Sequence, residues 1–134
     1  MDTGKSALGL DGNLAAALGY PIGILAIICL IMEKENRFVK FHALQSILMH
    51  VAFIIIMIAV WILGIILLFA GIAASAATDS GAAGGLASML FGLIWLVVIV
   101  AYLGGLIFAA VKAYGGVDFK LPIVGNMAEK FANK

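Results

Sequence analysis

GNLAAALGYPIGILAIICLIM, residues 12 to 32, holds 21 positions without one charged side chain. A helix crossing a bilayer core of about 30 Å needs about 20 such residues, so this run has the length of a span. Two more runs follow it: Ala43 to Thr78, 36 residues, and Ser80 to Val111, 32 residues. The 134-residue chain is 65% hydrophobic and 11% charged, against about 25% charged in ordinary soluble domains. A soluble domain of this size cannot hide that much apolar surface, whereas lipid solvates it directly. The pattern predicts a single all-α integral membrane domain, residues 1–134, with three transmembrane helices. Its spans are about 13–32, 51–70 (extending to 43–74) and 86–111, followed by a cytoplasmic tail, 115–134.

Inside the first run, GYPIG sets Pro21 between Gly19 and Gly23. A proline removes a backbone donor and breaks an ordinary helix, but membranes tolerate the break where neighbours satisfy the freed carbonyl. A kink or a late helix start is expected there, with Asn13 as the cap. The N-terminal MDTGKSALGLDG has one lysine, two aspartates and no basic lead into a short apolar stretch, so the run is expected to remain in the mature chain. The lone Cys29 excludes an intrachain disulfide and reads as a small packing residue.

The second run is too long for a simple crossing, because 36 helical residues reach about 54 Å. Phe38 to about His50 is therefore expected to form an interfacial helical section, and Val51 to Ala70 the crossing section. The connector GIAASAATDSGAAGG, residues 71–85, reads as flexible, although its alanines could extend the preceding helix. The third helix is expected from about Leu86 to Tyr114, with Lys112 suiting its C-terminal dipole and Gly115–Gly116 ending it. Beyond lies a short re-entry to the interface at 121–124. An amphipathic segment follows, in which Met127 and Phe131 share a face and Lys130 and Lys134 face water.

Three spans put the N-terminus and Asp79 on one face, and loop 33–42 and the tail on the other. The first face then holds Lys5, while the second holds Lys34, Arg37, Lys40, Lys112, Lys120, Lys130 and Lys134. Positive charge accumulates in the cytoplasm, which predicts a multi-pass protein of the inner (cytoplasmic) membrane, N-terminus outside and C-terminus cytoplasmic.

The acids are all loop-borne, and Glu33 and Glu35 alternate with Lys34 and Arg37 as expected of solvated ion pairs. No catalytic constellation emerges, so no enzyme activity is expected. Helical spacing gathers His42, Gln45, Ser46 and Met49 on one side of their helix, opposite Phe41, Leu44 and Leu48. His42, Gln45 and Ser46 read as a polar helix entrance, with Asn36 as its cap, or as the lining of a water-filled vestibule. His50, two turns deeper, could handle a proton or contact a porphyrin-type pigment. No metal site is expected, since the two histidines stand about 12 Å apart along a helix with no carboxylate or cysteine alongside.

FVKFHALQS and KAYGGVDFKLPIVG resemble the signature segments of the Tic20-like family of small membrane proteins, also described as DUF4870. The resemblance covers roughly residues 14 to 128 and picks out Phe41, His42, Ala43, Gln45, Lys112, Gly115, Leu121, Pro122 and Gly125. It implies a helical membrane fold and, by analogy with chloroplast relatives, a protein-translocation or channel component that forms a pore by oligomerisation. The residues themselves favour a non-enzymatic accessory or structural subunit of a larger membrane complex. Its expected partners are the lipid bilayer and other membrane subunits, with no nucleic acid. A pigment-contacting subunit of an energy-transducing complex is the other alternative.

Overall fold

The computed structural model describes residues 3–132. Asp2, read above as a loop acid, and Lys134, read as a water-facing cation, lie outside the described residues. Five helices follow in order: α1 Gly12–Gly19, α2 Gly23–Met32, α3 Arg37–Thr78, α4 Ala82–Tyr114 and α5 Val124–Ala132. The chain divides into two compact units. One comprises Met1–Ala52 with Leu103–Lys134, and the other Phe53–Tyr102.

In the first unit, the apolar run 12–32 does not form the expected single span. It breaks at Tyr20–Pro21–Ile22 into two helices of 8 and 10 residues, about 12 and 15 Å long. They fold back on each other, with Gly19 so close to Ala26 that an added Cβ would sit 3.5 Å from the alanine Cβ. The reversal brings the start of α1 beside the loop that follows α2. Ala7 N–H donates to Glu33 Oε2 at 2.7 Å, and Asn36 Nδ2 donates to the carbonyls of Thr3 and Lys5 at 2.7 and 3.2 Å. Residues 3–7 therefore lie beside residues 33–36, which the three-span reading put on opposite faces of the bilayer. Composition could not show this, since a span and a re-entrant hairpin share the same apolar residues.

Several local expectations change with it. Asn13 does not cap α1: its side chain donates to the Tyr114 carbonyl at 2.9 Å, while its N–H donates to Thr3 Oγ1. Glu33 is buried rather than solvated, accepting the N–H groups of Ala7 and Asn36. Asn36 does cap α3, its Oδ1 accepting Val39 N–H at 3.2 Å. Ala15, Ala26, Cys29, Val39 and Ala43 form one apolar core, supported by Leu8 and Leu10 from the N-terminal loop.

α3 is a single 42-residue helix, about 63 Å long. Its environment changes rather than its geometry. Residues 41–46 are mostly buried within the first unit, whereas 54–56 are exposed. The alanines of 73–77 extend α3 to Thr78, and α4 begins at Ala82, so the supposed flexible connector shrinks to residues 79–81. The second unit is an antiparallel pair in which Phe53 stacks on Tyr102 at 3.8 Å and the Phe91 ring lies over Gly64. α3 and α4 are the two described helices long and apolar enough to cross a membrane, and hardly any of either apolar stretch is buried within the chain.

Candidate functional site

The break at Pro21 leaves polar groups inside an apolar hairpin, and α3 satisfies them. Ser46 Oγ donates to the Gly19 carbonyl at 2.8 Å, the carbonyl freed where the helix stops. Gln45 Nε2 donates to the Tyr20 hydroxyl at 2.7 Å and to the Phe119 carbonyl at 3.0 Å, while its Oε1 accepts Leu121 N–H at 3.0 Å. Phe119 C=O and Leu121 N–H flank Lys120 and both meet the one carboxamide. The Gln45 carboxamide thus pairs with the tail as a neighbouring strand would. One side chain ties the hairpin, α3 and the C-terminal segment together.

Tyr20 Oη lies 2.9 Å from His42 Nδ1. The hydroxyl thus bridges the Gln45 carboxamide and the imidazole. Phe38, Phe41 and Tyr20 enclose the ring edge-on, with centroids at 4.5, 5.0 and 5.9 Å. Nε2 is buried without a hydrogen-bond partner among the described residues.

His42, Gln45 and Ser46, expected as a polar surface patch or vestibule lining, each have 0% exposure. They share a face as their spacing predicts, but that face meets the hairpin and the tail rather than water. Ser46→Ala is expected to destabilise the chain by about 1–3 kcal/mol, the cost of a buried carbonyl left without its donor. Denaturant titration of the purified protein checks this, and an unchanged midpoint would count against the role assigned to the hydroxyl.

His50 Nδ1 lies 2.8 Å from the Ser46 carbonyl, and its Nε2 edge packs on Gly23, where a Cβ would stand 3.4 Å away. The ring steadies the hairpin tip.

The tail closes the site. Of the expected Gly115–Gly116 stop, Gly116 takes the left-handed backbone after α4, with φ +70°. Lys112 Nζ stands 5.5 Å above the Phe108 ring, and Phe108 meets Phe119 edge-to-face. Pro122 accepts Val124 N–H in the turn into α5. Ala128 and Ala132 of α5 pack on Phe41, flanked by Leu44 and Leu48. Gly125 admits a close approach: a Cβ there would fall 2.7 Å from Gln45 Oε1. Outside this core, Glu129 bridges Lys120 at 2.8 Å and Arg37 at 3.7 Å. The hydrogen bond from Lys120, with the charge of Arg37 adding to it, holds the exposed carboxyl below the usual range.

Phe41, His42, Gln45, Leu121 and Gly125 thus meet at one joint, while Ala43 packs in the hairpin core. Lys112 acts indirectly through the Phe108–Phe119 pair. Tyr20, Ser46 and Phe119 complete the joint. The proline break hinted at a partner for Gly19, but no sequence signal identified Tyr20 or Phe119.

Comparison with known proteins corrects the family reading. A UPF0132 membrane protein of Methanocaldococcus jannaschii is 36% identical over 130 residues, covering 96% of each chain. A UPF0132 membrane protein of Archaeoglobus fulgidus is 35% identical over 119 residues, covering 88% of this chain and 92% of the relative. No solved structure matches. The family whose pattern fits residues 7–128 is described as the Magnetosome magnetite crystal formation protein family, MamF/MmsF, which overturns the Tic20-like, DUF4870 resemblance. A chain matched over nearly its whole length, with membrane-protein relatives of this similarity, belongs to the MamF/MmsF family.

Proposed function

We propose that this chain is a non-enzymatic subunit of a larger membrane assembly, anchored by two crossing helices and one re-entrant hairpin. The observation that carries the reading is how its polar and apolar groups are spent. Tyr20, Gln45 and Ser46 are committed to internal joints. The long faces of α3 and α4 stay uncovered and call for lipid or neighbouring helices.

The family description concerns magnetite crystals, whereas the archaeal relatives are named only as membrane proteins.

On this reading α3 and α4 cross the bilayer and the hairpin returns, so that loop 33–36 and the segments before α1 and after α4 would lie on one side of the membrane and residues 79–81 on the other. All eight lysines and arginines then fall outside 53–102, where Asp79 is the one charged residue. That distribution supports a cytoplasmic location for both termini. In a Cys29→Ser background, an impermeant maleimide applied outside is expected to label Ser80→Cys at once and Ala7→Cys only after permeabilisation. Immediate labelling of Ala7→Cys would restore a three-span arrangement. The subunit role is tested by gentle extraction and native mass spectrometry, where a chain that runs alone as a monomer would defeat it.

A further inference from the structure

α5 is built inside out. Its small residues Gly125, Ala128 and Ala132 face the protein, while Met127 and Phe131 are 44% and 50% exposed. Ile123, in the turn immediately before the helix, is 77% exposed. A helix in water buries its large apolar side chains and shows its small ones, so this polarity fits a face solvated by hydrocarbon.

Ile123 carries a second signal. Its φ of +67° is a left-handed conformation that glycine adopts freely and a β-branched residue strongly resists. Exposed isoleucine in such a turn gives the fold little that glycine would not give at lower strain. Its side chain gains its return outside the chain.

Charge identifies the medium. Lys130 lies between Met127 and Phe131 in sequence, at the edge of the apolar stripe, with an aliphatic stem suited to snorkelling. The acid of α5, Glu129, is turned to the Lys120 and Arg37 pairs. The outward face is thus apolar at its centre and cationic at its rim.

We infer that Ile123, Met127 and Phe131 form an anchor that seats α5 in the headgroup–acyl boundary of an anionic cytoplasmic leaflet, with Lys130 at the phosphate level. The inference rests on the membrane reading above. It makes the tail a third element bound to the bilayer rather than an arm offered to soluble partners.

The full-length chain with Cys29→Ala, reconstituted in vesicles of equal parts phosphatidylcholine and phosphatidylglycerol, tests it. Spin labels are placed singly at Met127→Cys, Phe131→Cys, Asn126→Cys and, as a control, Ile58→Cys. Labels at 127 and 131 are expected to relax several-fold more with oxygen than with a water-soluble nickel chelate, and the label at 126 the reverse. Nickel access at 127 and 131 equal to that at 126 would overturn the anchor. So would shielding from both reagents, which would mark a protein partner or second copy. If Ile58 itself proved water-accessible, the membrane reading would fail; lipid access at 58 with water access at 127 would remove this inference alone. Adding Ile123→Gly is expected to leave helix content intact and halve the oxygen preference at 127, and an unchanged preference would refute the part given to Ile123.

Discussion

Replacing Gln45 by leucine is expected to release the C-terminal segment while leaving α3 and α4 in the membrane. Leucine fills much of the space but makes none of the hydrogen bonds to Tyr20, Phe119 and Leu121. Phe119 C=O and Leu121 N–H then lose their partner, and the Tyr20 hydroxyl one of its two, in a site that had 0% exposure at Gln45. Each buried group left unsatisfied costs about 1–3 kcal/mol. Water reaching Phe119 and Leu121 offsets part of the sum, leaving about 3–5 kcal/mol against docking. Every 1.4 kcal/mol is tenfold in an equilibrium constant, so the open tail should rise at least about a hundredfold. Trypsin cleavage after Lys120 and Lys130 should accelerate accordingly when cleavage tracks the open population. An unchanged cleavage rate would show that Gln45 does not hold the tail.

Gly125→Ala attacks the same joint by adding matter rather than removing a bond. Its methyl would lie 2.7 Å from Gln45 Oε1 and 2.8 Å from Lys120 Cα and Cβ. Lys120 Cα is backbone and cannot swing aside, and Gln45 Oε1 is held by Leu121 N–H. Overpacking of this kind costs about 1–3 kcal/mol, with the strained hydrogen bond adding about 1 kcal/mol. The matched control is Gly92→Ala, where nothing stands within 4 Å of the new methyl; mid-helix alanine is favoured there by about 0.5–1 kcal/mol. Circular dichroism melts should therefore move in opposite directions, down for residue 125 and level or up for residue 92. A fall of equal size in both would refute the steric account. Because Gly125 faces the oxygen of Gln45, the effects of G125A and Q45L should fall short of additivity.

Much of the helical content was legible because length and charge alone determine it. The long second run required an unusual helix, Asn36 capped it, and the third run ended at Tyr114 as its lysine and glycines suggested. The fate of the first run was not legible. A span and a hairpin are both apolar, and Pro21 is compatible with either. The deciding contacts join residues distant in sequence: Gly19 with Ser46, Ala7 with Glu33, Asn13 with Tyr114. The candidate site was half legible in the same sense. Spacing grouped His42, Gln45 and Ser46, but whether that face met water or protein depended on where the hairpin and tail fell. Glu33 was misread because neighbouring cations suggested ion pairing, whereas folding turned it toward backbone donors.

The re-entrant hairpin also sets an order of events during synthesis. The hydroxyl of Tyr20 and the carbonyl of Gly19 gain their partners on α3 only after some 25 further residues have been made. The Gln45 carboxamide in turn waits for Phe119 and Leu121, near the chain's end. In the membrane arrangement proposed above, such a hairpin cannot settle as it leaves the translocon, since lipid offers its polar break no donors. It must be sheltered until α3 arrives, and residues 119–121 complete a joint whose first parts were made about a hundred residues earlier.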